Sequence, residues 1–99
     1  MADIRVVYTD AALNDLDEIL EYISLNYPAL VVSFEKRLSL VVGRIGDFPK
    51  SSEQMMGRPG VRVAPLNRYP YKVFYRIAQD SVEILYIHHA ARDELDEGS

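Results

Sequence analysis

The strongest constraint on this chain is a pair of apolar segments near its C-terminus. Asn67-Arg68-Tyr69-Pro70-Tyr71-Lys72-Val73-Phe74-Tyr75-Arg76-Ile77 and Val82-Glu83-Ile84-Leu85-Tyr86-Ile87-His88-His89-Ala90-Ala91-Arg92-Asp93 are separated only by Ala78-Gln79-Asp80-Ser81. Aromatic and β-branched residues suit a pleated surface, and a four-residue polar connection suits a tight reversal, so the two segments predict a β-hairpin. The second strand ends in a cluster of His and Arg.

Upstream, Ile4-Arg5-Val6-Val7-Tyr8 reads as a first strand. Thr9 or Asp10 can cap the helix that follows, and Leu13, Leu16, Leu20 and Ile23 recur at helical spacing. Its polar face carries Asn14, Asp15, Asp17, Glu18 and Glu21, a pattern typical of a solvated surface. Asn26-Tyr27-Pro28 breaks this helix, and proline suits the first turn of the next. The second helix carries Val31, Phe34, Leu38, Val41 or Val42, and Ile45, then stops near Gly46-Asp47-Phe48-Pro49. Residues 50–60 read as a loop with Met55 and Met56 at the core edge, and Val61–Leu66 as a strand with an irregular end at Pro65.

The order β-α-α-β-β-β predicts one α+β domain over residues 1–99, with an antiparallel sheet and a helical hairpin on one face. Residues 93–99 read as a frayed acidic tail. The hairpin's alternation places apolar groups on both sheet faces, Phe74, Leu85 and Ile87 among them, and so calls for a second cover. Without cysteine the fold rests on packing, and no thiolate metal site is available. The N-terminus lacks a secretory pattern and no apolar run approaches a membrane span, so a cytoplasmic chain with no membrane contact is expected. The net charge of −4 is uneven. Residues 1–50 carry five basic and eight acidic groups, residues 51–92 six and three, and residues 93–99 none and four. The hairpin region is therefore basic between acidic flanks, although the acidic total argues against general nucleic-acid binding.

Arg62, Lys72, Arg76 and Arg92 lie on or beside the last three strands, where guanidinium and ammonium groups suit a phosphate or a carboxylate-bearing partner. The bland alternative is a solvated strand face. His88 and His89 are consecutive and point to opposite faces of a strand, which disfavours a shared metal ion, though either can move a proton. Tyr69, Tyr71, Tyr75 and Tyr86 can stack on bases but pack more readily as half-buried strand residues. No motif for a cofactor or metal occurs.

The Tyr69-Pro70-Tyr71-Lys72 strand, the Val82-Glu83-Ile84-Leu85 strand and the His-rich ending with Arg92 resemble the RelE/ParE superfamily of bacterial toxins. That resemblance implies the same β-α-α-β-β-β fold, the toxin role in a type II toxin–antitoxin system, and a cognate antitoxin, with two toxins around a dimeric antitoxin. It implies target contact through Arg62, Lys72, Arg76, His88 and Arg92, and antitoxin contact through Tyr71, Phe74, Leu85 and Ile87. The RelE-like branch cleaves messenger RNA on the ribosome, and Lys72, Arg92 and His89 would carry that chemistry here. A C-terminal tyrosine of that branch has no counterpart, and four carboxylates follow Arg92. The ParE-like branch poisons DNA gyrase without bond chemistry, and the two strand motifs look more like it. The resemblance therefore implies a gyrase inhibitor that arrests growth, with an endoribonuclease or an antitoxin-binding module without toxicity as the alternatives.

Overall fold

Thr9 sets how the first helix leaves the sheet. In the computed structural model, which describes residues 4–90, its hydroxyl accepts the Ala12 N–H at 3.1 Å and caps helix α1 (Asp10–Asn26). The same hydroxyl lies 2.9 Å from the Ile84 carbonyl and 3.2 Å from that of Leu85, so it also docks the helix start onto the sheet. Just before it, β1 (Arg5–Tyr8) pairs in parallel with the first half of β5 (Ser81–His89). The sheet order is β1-β5-β4-β3-β2, where β2 is Glu53–Gln54, β3 Val61–Pro65 and β4 Tyr71–Ile77. The fold is the expected α+β arrangement with two corrections: the sheet is mixed, because β1 pairs with β5 in parallel, and it has a fifth strand, β2, within residues 50–60, which read as a loop in the sequence.

α1 ends where Asn26 precedes Tyr27-Pro28, and a single 3-10 turn, Pro28–Leu30, leads into α2 (Val31–Asp47). Both helices pack on one sheet face. Phe34, Leu38, Val41 and Ile45 of α2 are buried, as their spacing predicts. On α1 Ala12, Ile19 and Ile23 are buried, and Leu16 and Leu20 of the expected stripe pack half-buried against the core, whereas Leu13 is 47% exposed. Two polar anchors fix this rotation: Thr9 at the cap, and Asp15, whose carboxylate accepts the Ile87 N–H at 3.0 Å.

The β4–β5 ladder has a bulge. Phe74 pairs with Tyr86 but Tyr75 with Ile84, so Leu85 is the extra residue. Strict alternation would place Ile84 and Ile87 on opposite faces. The bulge returns Ile87 to the helix side, where it is buried with Val73, Tyr75, Val82 and Ile84. The apparent apolarity of both faces is thus partly a register effect, and the expectation of a required second cover is overturned. Phe74, the main apolar group on the outer face, is 1% exposed within the chain itself.

Two further ties close the structure. The Tyr75 hydroxyl donates to the Pro49 carbonyl at 2.7 Å, and Arg62 donates to the carbonyls of Ser52 at 2.7 Å and Lys50 at 3.2 Å. They fasten the segment after α2 against β3 and β4. Burial pushes the Tyr8 phenol above its ordinary pKa, which keeps it neutral beside the core.

Candidate functional site

The outer sheet face is built by cross-strand pairing, which places opposed residues on one side. Lys72 faces His88, Phe74 faces Tyr86, and Arg76 faces Glu83. Arg76 Nε donates to Glu83 Oε1 at 2.6 Å, leaving the guanidinium partly neutralised at the surface. The His88 ring packs 5.6 Å from Phe74 and 5.2 Å from Tyr86, and the Arg58 guanidinium lies 5.5 Å above the Tyr86 ring. His88 Nε2 also sits 3.8 Å from the Asp15 carboxylate. This face combines cations with aromatic rings, and a shallow hollow of about 520 Å³ between Phe74, Lys72 and Met55 opens on it.

The second concavity lies on the other side of β5. β1 pairs only with Ser81–Ile84, so β5 runs on past its neighbour while α1 crosses above. Between them opens a groove of about 760 Å³, lined by Ile19, Tyr22 and Ile23 of α1 and by Tyr71, Ile87 and His89 of the hairpin. Asp15 and Glu18 give it an acidic edge. Tyr71 stacks edge-on against both Phe34, at 5.8 Å, and His89, at 5.4 Å, which fixes the floor at that end. Because Asp15 replaces the missing strand partner of Ile87, it shapes both the groove and the sheet edge. Asp15→Ala is expected to cost about 1–3 kcal/mol, the penalty of a backbone donor left unpaired. Urea denaturation measures the loss, and Asp15→Asn, which keeps an acceptor oxygen, should recover part of it.

A family model described as the ParE toxin of the type II toxin–antitoxin system parDE matches residues 6–94. The chain belongs to the ParE toxin family. It is 37% identical over 90 residues to the candidate toxin Y4kP of Sinorhizobium fredii, covering 87% of this chain and 88% of that one. A chromosomal ParDE toxin–antitoxin system from P. aeruginosa contains a chain of the same fold, with TM-score 0.77 at 21% identity, over 88% of this chain and 96% of that one. A chain in the RelBE2 toxin–antitoxin complex of Mycobacterium tuberculosis aligns with TM-score 0.60 at 22% identity, over 90% and 93%. Isolated RelE toxin of E. coli aligns at 0.55 and 15%, over 96% and 97%.

On this ParE-family fold, Lys72, Arg76 and His88 come together on the outer face, as the sequence pattern suggests. Arg62 does not join them. Its pairing with Tyr75 turns it to the helix side, where its donors hold the loop after α2. Arg92 falls outside the described residues. The trio Lys72, Arg92 and His89 is not assembled among the described residues either: His89 pairs with Tyr71 on the groove side, and His88 is the histidine beside Lys72. The four residues expected to contact an antitoxin also divide. Tyr71 and Ile87 line the groove, Phe74 is buried on the outer face, and Leu85 occupies the bulge. Residues missed by pattern alone are Asp15, read as a solvated charge, and Arg58, read as part of a loop. Nothing in local sequence marks the first, since its partner is 72 residues away. Among the described residues no group of three His, Cys, Asp or Glu is placed to hold a metal ion, and no helix is long and apolar enough to cross a membrane.

Proposed function

We propose that this chain is a ParE-like toxin that inhibits DNA gyrase in the cytoplasm, arrests growth, and is neutralised by a cognate antitoxin. The observation that carries this reading is the match of the ParE family model to residues 6–94. The fold fits it, because a gyrase inhibitor needs a binding surface and no reacting groups. The outer face supplies such a surface in Lys72, Arg76 and His88, and Arg92 follows β5 in sequence.

The groove between α1 and the end of β5 is the antitoxin site in this account. Its lining is apolar and aromatic, so an antitoxin segment that fills it carries apolar side chains, with a basic residue placed against Asp15 and Glu18. Two toxins around a dimeric antitoxin is the expected assembly. A ribosome-dependent endonuclease is the second reading, favoured by Lys72 standing opposite His88 on one open face. Expression of the chain should induce DNA-damage signalling and filamentation while protein synthesis continues. Arrest of translation with no damage signal would favour the second reading, and unimpaired growth would favour a binding module without toxicity.

A further inference from the structure

Met56 is 94% exposed, the most exposed large apolar side chain among the described residues, yet its backbone is fixed. The Met55 N–H donates to the Val61 carbonyl at 2.7 Å, the Arg58 N–H to that of Met55 at 3.3 Å, and the Val61 N–H to that of Arg58 at 3.1 Å. Gly57 and Gly60 both take φ +84°, a conformation that side-chain-bearing residues avoid. The loop is therefore shaped to hold a thioether in water. A side chain of this size gains about 1.5–3 kcal/mol from burial, and the three flexible bonds of methionine let it fit an irregular socket.

The loop leans on the outer face. Met55 and Met56 border the hollow that also contains Val63, Lys72 and Phe74, and Arg58 covers the Tyr86 ring. Lys72 lines the same hollow as Met56, Arg58 follows Met56 by two residues on the same loop, and Glu53 is the carboxylate at the hollow's edge. A single-stranded nucleic acid would need open ring faces to stack on. Here Phe74 is 1% exposed, the Tyr86 ring lies beneath Arg58, and Met56 offers neither a ring nor a hydrogen-bond donor. An apolar tip on a loop that carries Arg58 and borders Lys72 fits a different occupant: a protein surface with an apolar socket rimmed by carboxylates.

We propose that the Met55–Val61 loop is the docking anchor of the toxin, inserting Met56 into an acidic-rimmed apolar socket on its protein target. This deepens the proposed function and rests on it for the identity of the target as gyrase. The anchor is pre-organised, so little conformational entropy is lost on binding. Arg58 and Lys72 orient the encounter by charge.

The test compares wild type, Met56→Leu, Met56→Asp and Leu25→Asp for growth arrest on expression, and for inhibition of gyrase supercoiling by purified protein. Leu25 is 77% exposed on α1, far from the loop in sequence, and serves as the control for changing an exposed apolar residue. Met56→Asp should raise the half-inhibitory concentration roughly tenfold or more, as loss of a central anchor does. Met56→Leu and Leu25→Asp should stay close to wild type. Circular dichroism melting should show all four folded, since none of these side chains is buried. Wild-type potency in Met56→Asp, in cells and in vitro, would overturn the anchor and leave the gyrase reading standing. If Met56→Asp relieved a growth arrest in which gyrase was untouched, the anchor would stand and the gyrase reading would fall. Tight binding of single-stranded RNA lost on Met56→Asp would assign the loop to nucleic acid and overturn the protein occupant, and a wild type without effect on growth would overturn both.

Discussion

Phe34→Ala is expected to lower the unfolding free energy by about 3–5 kcal/mol, the range for a large aromatic removed from a core that cannot collapse around the gap. Phe34 is fully buried and meets Tyr69 edge-on at 5.4 Å and Tyr71 at 5.8 Å. It is therefore the side chain that joins α2 to the start of β4, and with it the floor of the groove. Domains of this size have only about 5–15 kcal/mol to lose, so the variant gives up a large share of its stability. Phe34→Leu keeps most of the volume and should cost less than half as much. Both are read by urea denaturation of the purified chain. A loss below about 1 kcal/mol for Phe34→Ala would mean that the helical hairpin is not seated on the sheet as described.

Thr9→Val tests the other joint. Valine copies the shape of threonine but removes the hydroxyl, which caps α1 through the Ala12 N–H and bonds the Ile84 and Leu85 carbonyls of β5 beside the end of β1. Loss of the cap costs about 1–2 kcal/mol. Loss of the hydrogen bond to part-buried strand carbonyls adds about 1–2 kcal/mol. The expected total is about 2–4 kcal/mol, with Thr9→Ser recovering most of it. Amide exchange at Ala12 should accelerate in the valine variant and not in the serine variant. Equal exchange in both would show that the hydroxyl does not hold the helix start.

The local elements were legible in the sequence because their causes are local. Alternation from Tyr71 to Ile77, the polar reversal before Val82 and the proline after Tyr27 each act within a few residues. Three features were not legible for the opposite reason. The parallel pairing of β1 with β5 joins Arg5 to Ser81, and no short-range pattern records it. The bulge at Leu85 shifts the alternation of β5 by one residue, so the sequence between Ile84 and Ile87 reads as apolar on both faces when the chain buries Ile84 and Ile87 together. The rotation of α1 was legible only in part: Leu16, Leu20 and Ile23 meet the core as their spacing suggests, but Leu13 is exposed while Ala12 and Ile19 are buried. Polar anchors at Thr9 and Asp15 set this rotation.

The candidate site divides along the same line. Lys72, Arg76 and His88 share a face because strand periodicity puts them there, and the hairpin register confirms it. Arg62 obeys the same periodicity but lies on β3, whose register with β4 sets its side chain opposite Tyr75 and away from that group. The groove could not be foreseen from any segment alone, since α1, the start of β4 at Tyr71, and Ile87 and His89 of β5 build it together. Arg58 enters the site only because the Met55–Val61 loop folds back over Tyr86.

The most direct test of the account is a pair of assays on one preparation of the purified chain: supercoiling of relaxed plasmid by DNA gyrase, and cleavage of message bound to translating ribosomes. Inhibited supercoiling with intact message is the result the account predicts, and cut message with supercoiling unaffected would contradict it.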